Sequence, residues 1–159
     1  MVQNKDGLNQ PQVPIGTADT WTSWVDGANA PVIKAVDIAL MNAFPYWQGV
    51  DISGGLDKLK EAIANTRRAV GWNKPFLIGE TGWPSGGPNF GASAATRANT
   101  QRYWKEVVCW LQQRPEYPWF WFSAFDEPQR ESEVERNFGI SDVNKKPKVG
   151  MNINKLCGL

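Results

Sequence analysis

The sequence predicts an α/β protein in which parallel strands alternate with helices. Four short apolar runs, rich in β-branched and aromatic residues, are separated by stretches of helical periodicity. Each run ends in polar residues and a loop rich in Gly, Pro or aromatic side chains. Four such units occupy this chain of 159 residues, whereas a complete eight-unit barrel takes about 250 residues. We therefore expect half of a TIM-type (β/α)8 barrel, with an open four-stranded parallel sheet as the alternative.

The elements of the first half are short. The predicted strands are Val13–Thr17 and Val36–Phe44, and the predicted helical pieces are Trp21–Val25 and Ala30–Ala35. Asp19 or Thr20 is expected to cap the first helical piece. Asn42 is the polar residue near the carboxyl end of the second strand, and the loop Pro45–Gly49 after it is aromatic.

The elements of the second half are longer. Apolar residues at helical spacing predict a helix from Leu56 to Val70, and Phe76–Glu80 is the third strand. Ser93 is the expected N-cap of a long helix that reaches Arg114 before Pro115. Trp119–Phe125 is the fourth strand. The whole chain is treated as a single domain, residues 1–159, with residues 1–12 as a flexible N-terminal segment.

Composition narrows the possible partners. Seventeen Lys and Arg balance sixteen Asp and Glu, for a formal charge of +1. Without a basic patch, nucleic acid and anionic membranes are not expected partners. No apolar run approaches the length of a membrane span, and the polar N-terminus lacks the apolar core of a signal peptide.

The absence of histidine narrows the possible chemistry. With no His and only two Cys, Ser-His and Cys-His nucleophilic sites and His-ligated zinc are excluded. Catalysis would have to use carboxylates, Tyr, Lys or Cys, and no metal or cofactor is expected. Nine Trp residues suit surfaces that are partly apolar and partly wet, as sugar rings are, although a Trp-rich core is the simpler explanation for most of them.

Glu80 is the strongest candidate for a functional residue. It stands where the apolar run Phe76–Ile78 ends, and a carboxylate in that position is costly to desolvate. The carboxyl ends of parallel strands share one edge of the sheet, and the active sites of α/β folds lie at that edge. The same edge is expected to collect the other polar strand ends: Thr17, Asp19, Asn42, Asp126 and Glu127. The alternative is a carboxylate satisfied by an Arg side chain or a backbone amide.

Four motifs in sequential order resemble glycoside hydrolase family 17, especially its fungal cell-wall branch. They are Val13-Pro-Ile-Gly-Thr-Ala-Asp-Thr-Trp-Thr, Met41-Asn-Ala-Phe-Pro-Tyr-Trp, Ile78-Gly-Glu-Thr-Gly-Trp-Pro-Ser, and Phe122-Ser-Ala-Phe-Asp-Glu-Pro followed by Asn137-Phe-Gly-Ile. The resemblance spans about Val13 to Val149. It implies a (β/α)8 barrel, a retaining mechanism on β-1,3-glucan, no metal, and a secreted or wall-bound protein.

The resemblance also implies roles for individual residues. Glu80 matches the nucleophile of the family. The residues expected to bind a β-glucan oligosaccharide or polysaccharide are Thr17, Asp19, Asn42, Tyr46, Trp47, Trp83, Asp126 and Glu127. Gln129-Arg130 stands where the family has Trp-Lys. A disulfide between Cys109 and Cys157 fits an extracellular family, whereas the residues alone also allow two free buried thiols.

From the resemblance, the second carboxyl group of the site is expected to be missing from this chain. Family members place the general acid in an Asn-Glu motif upstream of the strand that Val13–Thr17 matches, and the twelve preceding residues contain no such motif. The chain is thus interpreted as the C-terminal half of the barrel, with weak or no activity alone. The alternative is a non-catalytic β-glucan-binding or interaction protein, and a third hypothesis makes Glu127 the acid. Because a half-barrel exposes strand edges, we expect a homodimer or association with a missing N-terminal half.

Overall fold

The computed structural model describes residues 13–159, and the expected flexibility of residues 1–12 concerns a segment outside them. The strands are β1 Gly16–Thr20, β2 Ile38–Asn42, β3 Phe76–Thr81 and β4 Trp119–Trp121. The helices are α1 Trp21–Val25, α2 Ala30–Ala35, α3 Gly55–Val70, α4 Arg97–Leu111 and α5 Ile153–Cys157. All neighbouring strands pair in parallel, in the order β1-β2-β3-β4. This is the predicted half of an eight-unit barrel.

The core lies between the sheet and its helices. Because parallel neighbours in sequential order are joined by right-handed crossovers, the connecting helices fall on the same face of the sheet. The fully buried side chains of that layer include Ala39, Met41 and Ile78 from the strands and Leu59, Tyr103 and Val107 from α3 and α4. None of the helices among residues 13–159 is both long and apolar enough to cross a membrane.

The opposite face of the sheet is poorly covered within the described residues. All five residues of β1 are exposed, and Leu40 and Leu77 are only half-buried. In β4, Trp119 and Trp121 pack on Trp104 of α4, so the alternation of a strand directs Phe120 away from the helices. Phe120 is 60% exposed. In a complete barrel this face is the packed interior.

The first strand begins later than expected. The prediction of Val13–Thr17 was wrong because Val13–Ile15 form a lead-in: the Ile15 amide donates to the Asp37 carboxylate at 2.9 Å, and the Ile15 carbonyl accepts from the Asp37 amide. Thr17, expected at the end of the strand, is therefore the second residue of β1 and pairs with Ala39. Thr20 caps α1 through its hydroxyl.

The fourth strand is shorter than expected. Pairing with β3 stops at Trp121, and the predicted extension to Phe125 instead bonds to the segment 138–141. There, the Ser123 amide donates to Phe138, and the Ile140 amide donates to Ser123. The chain after β4, which includes Asp126 and Glu127, is thus held by its own downstream segment instead of by β3.

Ser93 does not cap α4. The Thr96 hydroxyl accepts from the Asn99 amide at 3.2 Å and is the N-cap. Ser93 is fully buried and donates its hydroxyl to the Val50 carbonyl at 2.7 Å. Its side chain joins the loop after β3 to the loop after β2, which explains a polar residue at that position.

A disulfide fixes the C-terminal helix. Cys109 of α4 and Cys157 of α5 are bonded, with Cα atoms 5.4 Å apart and 48 residues between them in sequence. The only cysteines of the chain are thus both used. Val149, Ile153 and Leu156 of the tail pack with Trp104 in a small separate core.

Removing the disulfide is expected to destabilise the protein through the unfolded state. For a separation of 48 residues, the loop-entropy model gives a loss of about 4 kcal/mol, with about 2–4 typical of measured cases. The double variant Cys109→Ser/Cys157→Ser should therefore unfold at clearly lower urea concentration. An unchanged urea midpoint would show that the cross-link contributes nothing to stability.

Candidate active site

Glu80 lies at the carboxyl end of β3, directly beside the end of β2. Its register partner is Asn42, next to an irregularity between Met41 and Asn42, and its carbonyl accepts from the Ala43 amide at 2.9 Å. The next residue, Thr81, is fully buried and hydrogen-bonded to the Tyr103 hydroxyl at 2.8 Å. One step in β2, from Met41 to Asn42, spans two steps in β3, from Ile78 to Glu80, so β3 carries an extra residue there. This irregularity interrupts the alternation that follows the core residue Ile78 and puts Glu80 on the opposite face, beside Asn42, while Thr81 returns to the core.

Gly79 makes room for the Asn42 amide. A Cβ on Gly79 would lie only 2.6 Å from Asn42 Oδ1, so any side chain here would displace that amide. Asn42 Oδ1 is buried and has no hydrogen-bond partner among the described residues. An unpaired buried acceptor is costly, which is typical of functional sites rather than of structural cores.

The carboxyl group of Glu80 is harder to ionise than an ordinary one. Burial is the main reason that its pKa is raised, and the negative charge of Glu135 adds to the effect. The positive charge of Arg130 acts in the opposite direction. Glu80 therefore belongs to a group of interacting charges, and such perturbed carboxyl groups are typical of active sites.

Arg130 is the centre of that group of charges. Its Nε donates to Glu127 Oε2 at 2.7 Å. The Glu127 interaction is the main cause of its raised pKa, with smaller contributions from Glu135 and Glu80. We call Glu80, Glu127 and Glu135 the acidic cluster. Sequence reasoning did not assign Arg130 or Glu135 to the site, although Glu135 stands two residues before the motif that begins at Asn137.

Two predicted contact residues lie in the core instead of at the rim. Tyr46 and Trp83 are both fully buried. The Tyr46 hydroxyl donates to the Pro88 carbonyl at 2.5 Å, and Trp83 Nε1 donates to the Ala94 carbonyl at 3.0 Å. Their rings pack edge to face, with centroids 5.7 Å apart. Both side chains therefore support the loop after β3 through these hydrogen bonds. Because the rings are buried, neither is open to a ligand.

Trp47 and Phe90 form one exposed aromatic surface at this rim. Trp47 is 39% exposed and Phe90 is 45% exposed, and their ring centroids are 5.4 Å apart. Both rings also pack on Tyr46. Phe90 was not predicted as a site residue, because the loop after β3 carries no periodic signal that distinguishes it.

The remaining predicted residues are dispersed. Asp126 has a structural partner, since its Oδ1 accepts from Lys148 Nζ at 2.5 Å and from the Gly139 amide at 3.1 Å. Thr17 and Asp19 are exposed on β1, and Asp19 Oδ1 accepts from the adjacent Thr20 amide. Among residues 13–159, no cluster of His, Cys, Asp and Glu has the arrangement of a metal site.

Comparison with known proteins identifies the family. Residues 2–139 match the BtgE/BtgC glycoside hydrolase domain. The chain belongs to this glycoside hydrolase family. A curated relative from Schizosaccharomyces pombe, named glucan 1,3-beta-glucosidase, is 36% identical over 96% of this chain and 48% of its own length. The chain spans about half the length of the curated glucan 1,3-beta-glucosidases that it matches.

Solved structures confirm the resemblance to family 17 and the half-barrel. The family 17 beta-1,3-glucanosyltransferase of Rhizomucor miehei superposes with a TM-score of 0.77 at 36% identity, over 87% of this chain and 50% of that one. An active-site mutant of the same enzyme, solved in complex with laminaritriose, gives the same TM-score at 35% identity. Plant beta-glucan endohydrolases, at 20% identity and a TM-score of 0.68, share the fold.

The raised pKa of Glu80 predicts a pH-dependent stability cost. Because the pKa of Glu80 is higher in the folded state than in the unfolded state, protonated Glu80 favours folding. This contribution to stability is complete below the ordinary glutamate pKa and is lost as the pH rises through the raised value. Glu80→Gln cannot ionise, so we expect it to melt at a higher temperature than wild type at pH 7. The difference should disappear near pH 3, about one unit below the unfolded pKa. Calorimetry across this range would contradict the account if the variant were less stable at pH 7.

Proposed function

We propose that this chain supplies the nucleophile-bearing half of a retaining glycosidase site for β-1,3-glucan, with Glu80 as the nucleophile. The observation that carries the proposal is the half-buried carboxylate at the end of β3, beside Asn42 and within the field of Arg130 and Glu135. The names of the curated relatives and the laminaritriose complex of the R. miehei enzyme support β-1,3-glucan as the substrate class.

The proposed reaction has two displacements. In the first, a Glu80 carboxylate oxygen bonds to the anomeric carbon while the bond from that carbon to the leaving oxygen breaks, and the leaving oxygen takes a proton from a general acid. In the second, a water molecule or a glucan hydroxyl loses its proton to the same group and displaces Glu80, with net retention. Hydrolysis and transfer to another glucan chain differ only in this acceptor.

The general acid is proposed to lie outside residues 13–159. Retaining enzymes place it about 5–5.5 Å from the nucleophile. Glu127 is a poor choice, because it is committed to the ion pair with Arg130. Glu135 is half-buried on the short 3₁₀ helix Glu135–Asn137, outside the strand ends that carry such groups in barrels. A non-catalytic β-glucan-binding protein is the second candidate, favoured by the same lack of a placed acid.

Glucan would be bound partly by the exposed rings of Trp47 and Phe90. Their exposed faces stand at the rim that carries Glu80, and aromatic faces suit the apolar faces of sugar rings. The disulfide supports a secreted or wall-bound location, since such bonds persist in oxidising compartments.

The activity is tested with two substrates that differ in their need for an acid. A β-laminaribiosyl fluoride has a leaving group that departs without protonation, whereas linear β-1,3-glucan requires it. We expect the chain to turn over the fluoride but to release little reducing sugar from the glucan. Glu80→Gln should lower fluoride turnover by about 10³-fold or more.

The outcomes separate the candidates. Glu116→Gln, which alters an exposed carboxylate before β4, is the matched control and should behave as wild type. Rapid hydrolysis of the glucan by this chain alone would show that the acid is present. Glucan binding without turnover of the fluoride would favour the non-catalytic protein.

We also propose that a second copy of the chain or an N-terminal half covers the exposed inner face of the sheet. Phe120 on that face is 60% exposed, and the two outer strands each lack one neighbour among the described residues. Light scattering at increasing concentration should show a dimer or larger species. Phe120→Glu should shift it toward monomer, whereas the control Trp72→Glu, on an exposed loop before β3, should not. A folded monomer at every concentration would contradict self-association.

A further inference from the structure

Lys148 is a buried cation that the predicted site does not use. Its side chain is only 8% exposed, although Lys residues are almost never buried unless they are paired. Its Nζ contacts three acceptors: Asp126 Oδ1 at 2.5 Å, Ser85 Oγ at 2.6 Å and the Asn137 carbonyl at 3.3 Å. An ammonium has three donors, so each finds one partner.

The three partners belong to the three segments that carry the acidic cluster. Ser85 lies five residues after Glu80 on the same loop, Asp126 immediately precedes Glu127, and Asn137 is two residues after Glu135. The Ser85 amide and hydroxyl both donate to the Asn137 carbonyl, at 2.9 and 3.0 Å. One ammonium therefore joins all three segments.

The backbone of Lys148 is itself held on both sides. Its amide donates to the Ile140 carbonyl at 2.8 Å, and its carbonyl accepts from Gln101 Nε2 of α4 at 2.7 Å. The neighbouring Val149 packs in the small core with Trp104. The ammonium thus occupies a fixed point relative to the helical layer.

We propose that Lys148 is a positioning residue that sets the mutual spacing of the acidic cluster. It touches none of the three carboxylates of that cluster and acts through Ser85, Asp126 and Asn137. This inference depends on the proposed function only for the role of the carboxylates, because their spacing can be measured without substrate.

The first test measures that spacing by NMR. With ¹³C-labelled glutamate, the titration midpoint of Glu80 reports its burial and its distance from Glu135. In Lys148→Met we expect the midpoint to fall toward the ordinary glutamate value, because the loops separate and the carboxylate gains solvent. The expected midpoint is unchanged in Lys146→Met, which removes an exposed cation two residues away.

A second control separates positioning from general stability. Val149→Ala, next to Lys148, removes methyl groups from a buried site. It should destabilise the tail without removing the contacts of Lys148 Nζ with Ser85, Asp126 and Asn137. An equal shift of the Glu80 midpoint in Val149→Ala would overturn the proposal, as would an unchanged midpoint in Lys148→Met. If Lys148→Met does not fold, Lys148→Met/Asp126→Asn removes the unpaired buried carboxylate while keeping an acceptor for the Gly139 amide, and the same midpoint decides.

The second test measures binding of laminarihexaose by calorimetry. Lys148→Met should weaken binding about tenfold or more, since small displacements of a site are costly, while Lys146→Met and Val149→Ala should bind as wild type. Absence of binding by wild type would count against the proposed function and leave the NMR result to decide the role of Lys148. Equal affinity of Lys148→Met and wild type would overturn the proposal.

Discussion

The four-stranded parallel sheet is covered by helices on one face only. This one-sided burial determines which side chains enter the core and which candidate site residues face away from it. Alternation along each strand sends one set of side chains into the helical layer, where Thr81 bonds to Tyr103. The other set faces the opposite side, and the extra residue in β3 between Ile78 and Glu80 puts Glu80 there beside Asn42. Because the strands are parallel, their polar exits share one edge. A register slip of one residue in β3 would exchange Glu80 with Thr81 and place a carboxylate in the core.

Support for the site comes from layers that a ligand would not touch. Tyr46 and Trp83 are buried beneath the loop after β3 and hold it through bonds to backbone carbonyls. Lys148 joins that loop to the segments that follow β4. The exposed surface at the rim includes charged residues around Arg130 and the rings of Trp47 and Phe90. Rigid support below and polar and aromatic groups above are the usual arrangement of a binding cleft.

Sequence reasoning predicted the order and type of the main elements because their apolar periodicity is strong. It also placed Glu80 and Asn42 at the same edge of the sheet, since this follows from parallel strands, whereas their direct pairing depends on the register shift between β2 and β3. It misplaced both ends of the sheet, because β1 and the extension of β4 are fixed by distant partners, Asp37 and the segment 138–141. Ser93 was taken as a cap because its bond to Val50 has no local signature.

The electrostatic partners were the least predictable part of the site. Glu135 and Arg130 come from a charged loop with no periodicity, and only the folded chain shows that they act on Glu80. Similarly, a lysine near the C-terminus has no sequence signal that would mark it as buried. Such residues are brought together by tertiary contacts of long sequence separation, which local patterns do not encode.

The central claim is that Glu80 forms a covalent bond to the sugar. The most direct measurement is incubation with 2-deoxy-2-fluoro-β-laminaribiosyl fluoride, which needs no general acid to form the intermediate and slows its hydrolysis, followed by peptide mass spectrometry. The account predicts one glycosyl adduct, on the peptide that contains Glu80, and no adduct in Glu80→Gln. A label on Glu127 or Glu135, or no label in protein that binds glucan, would contradict it.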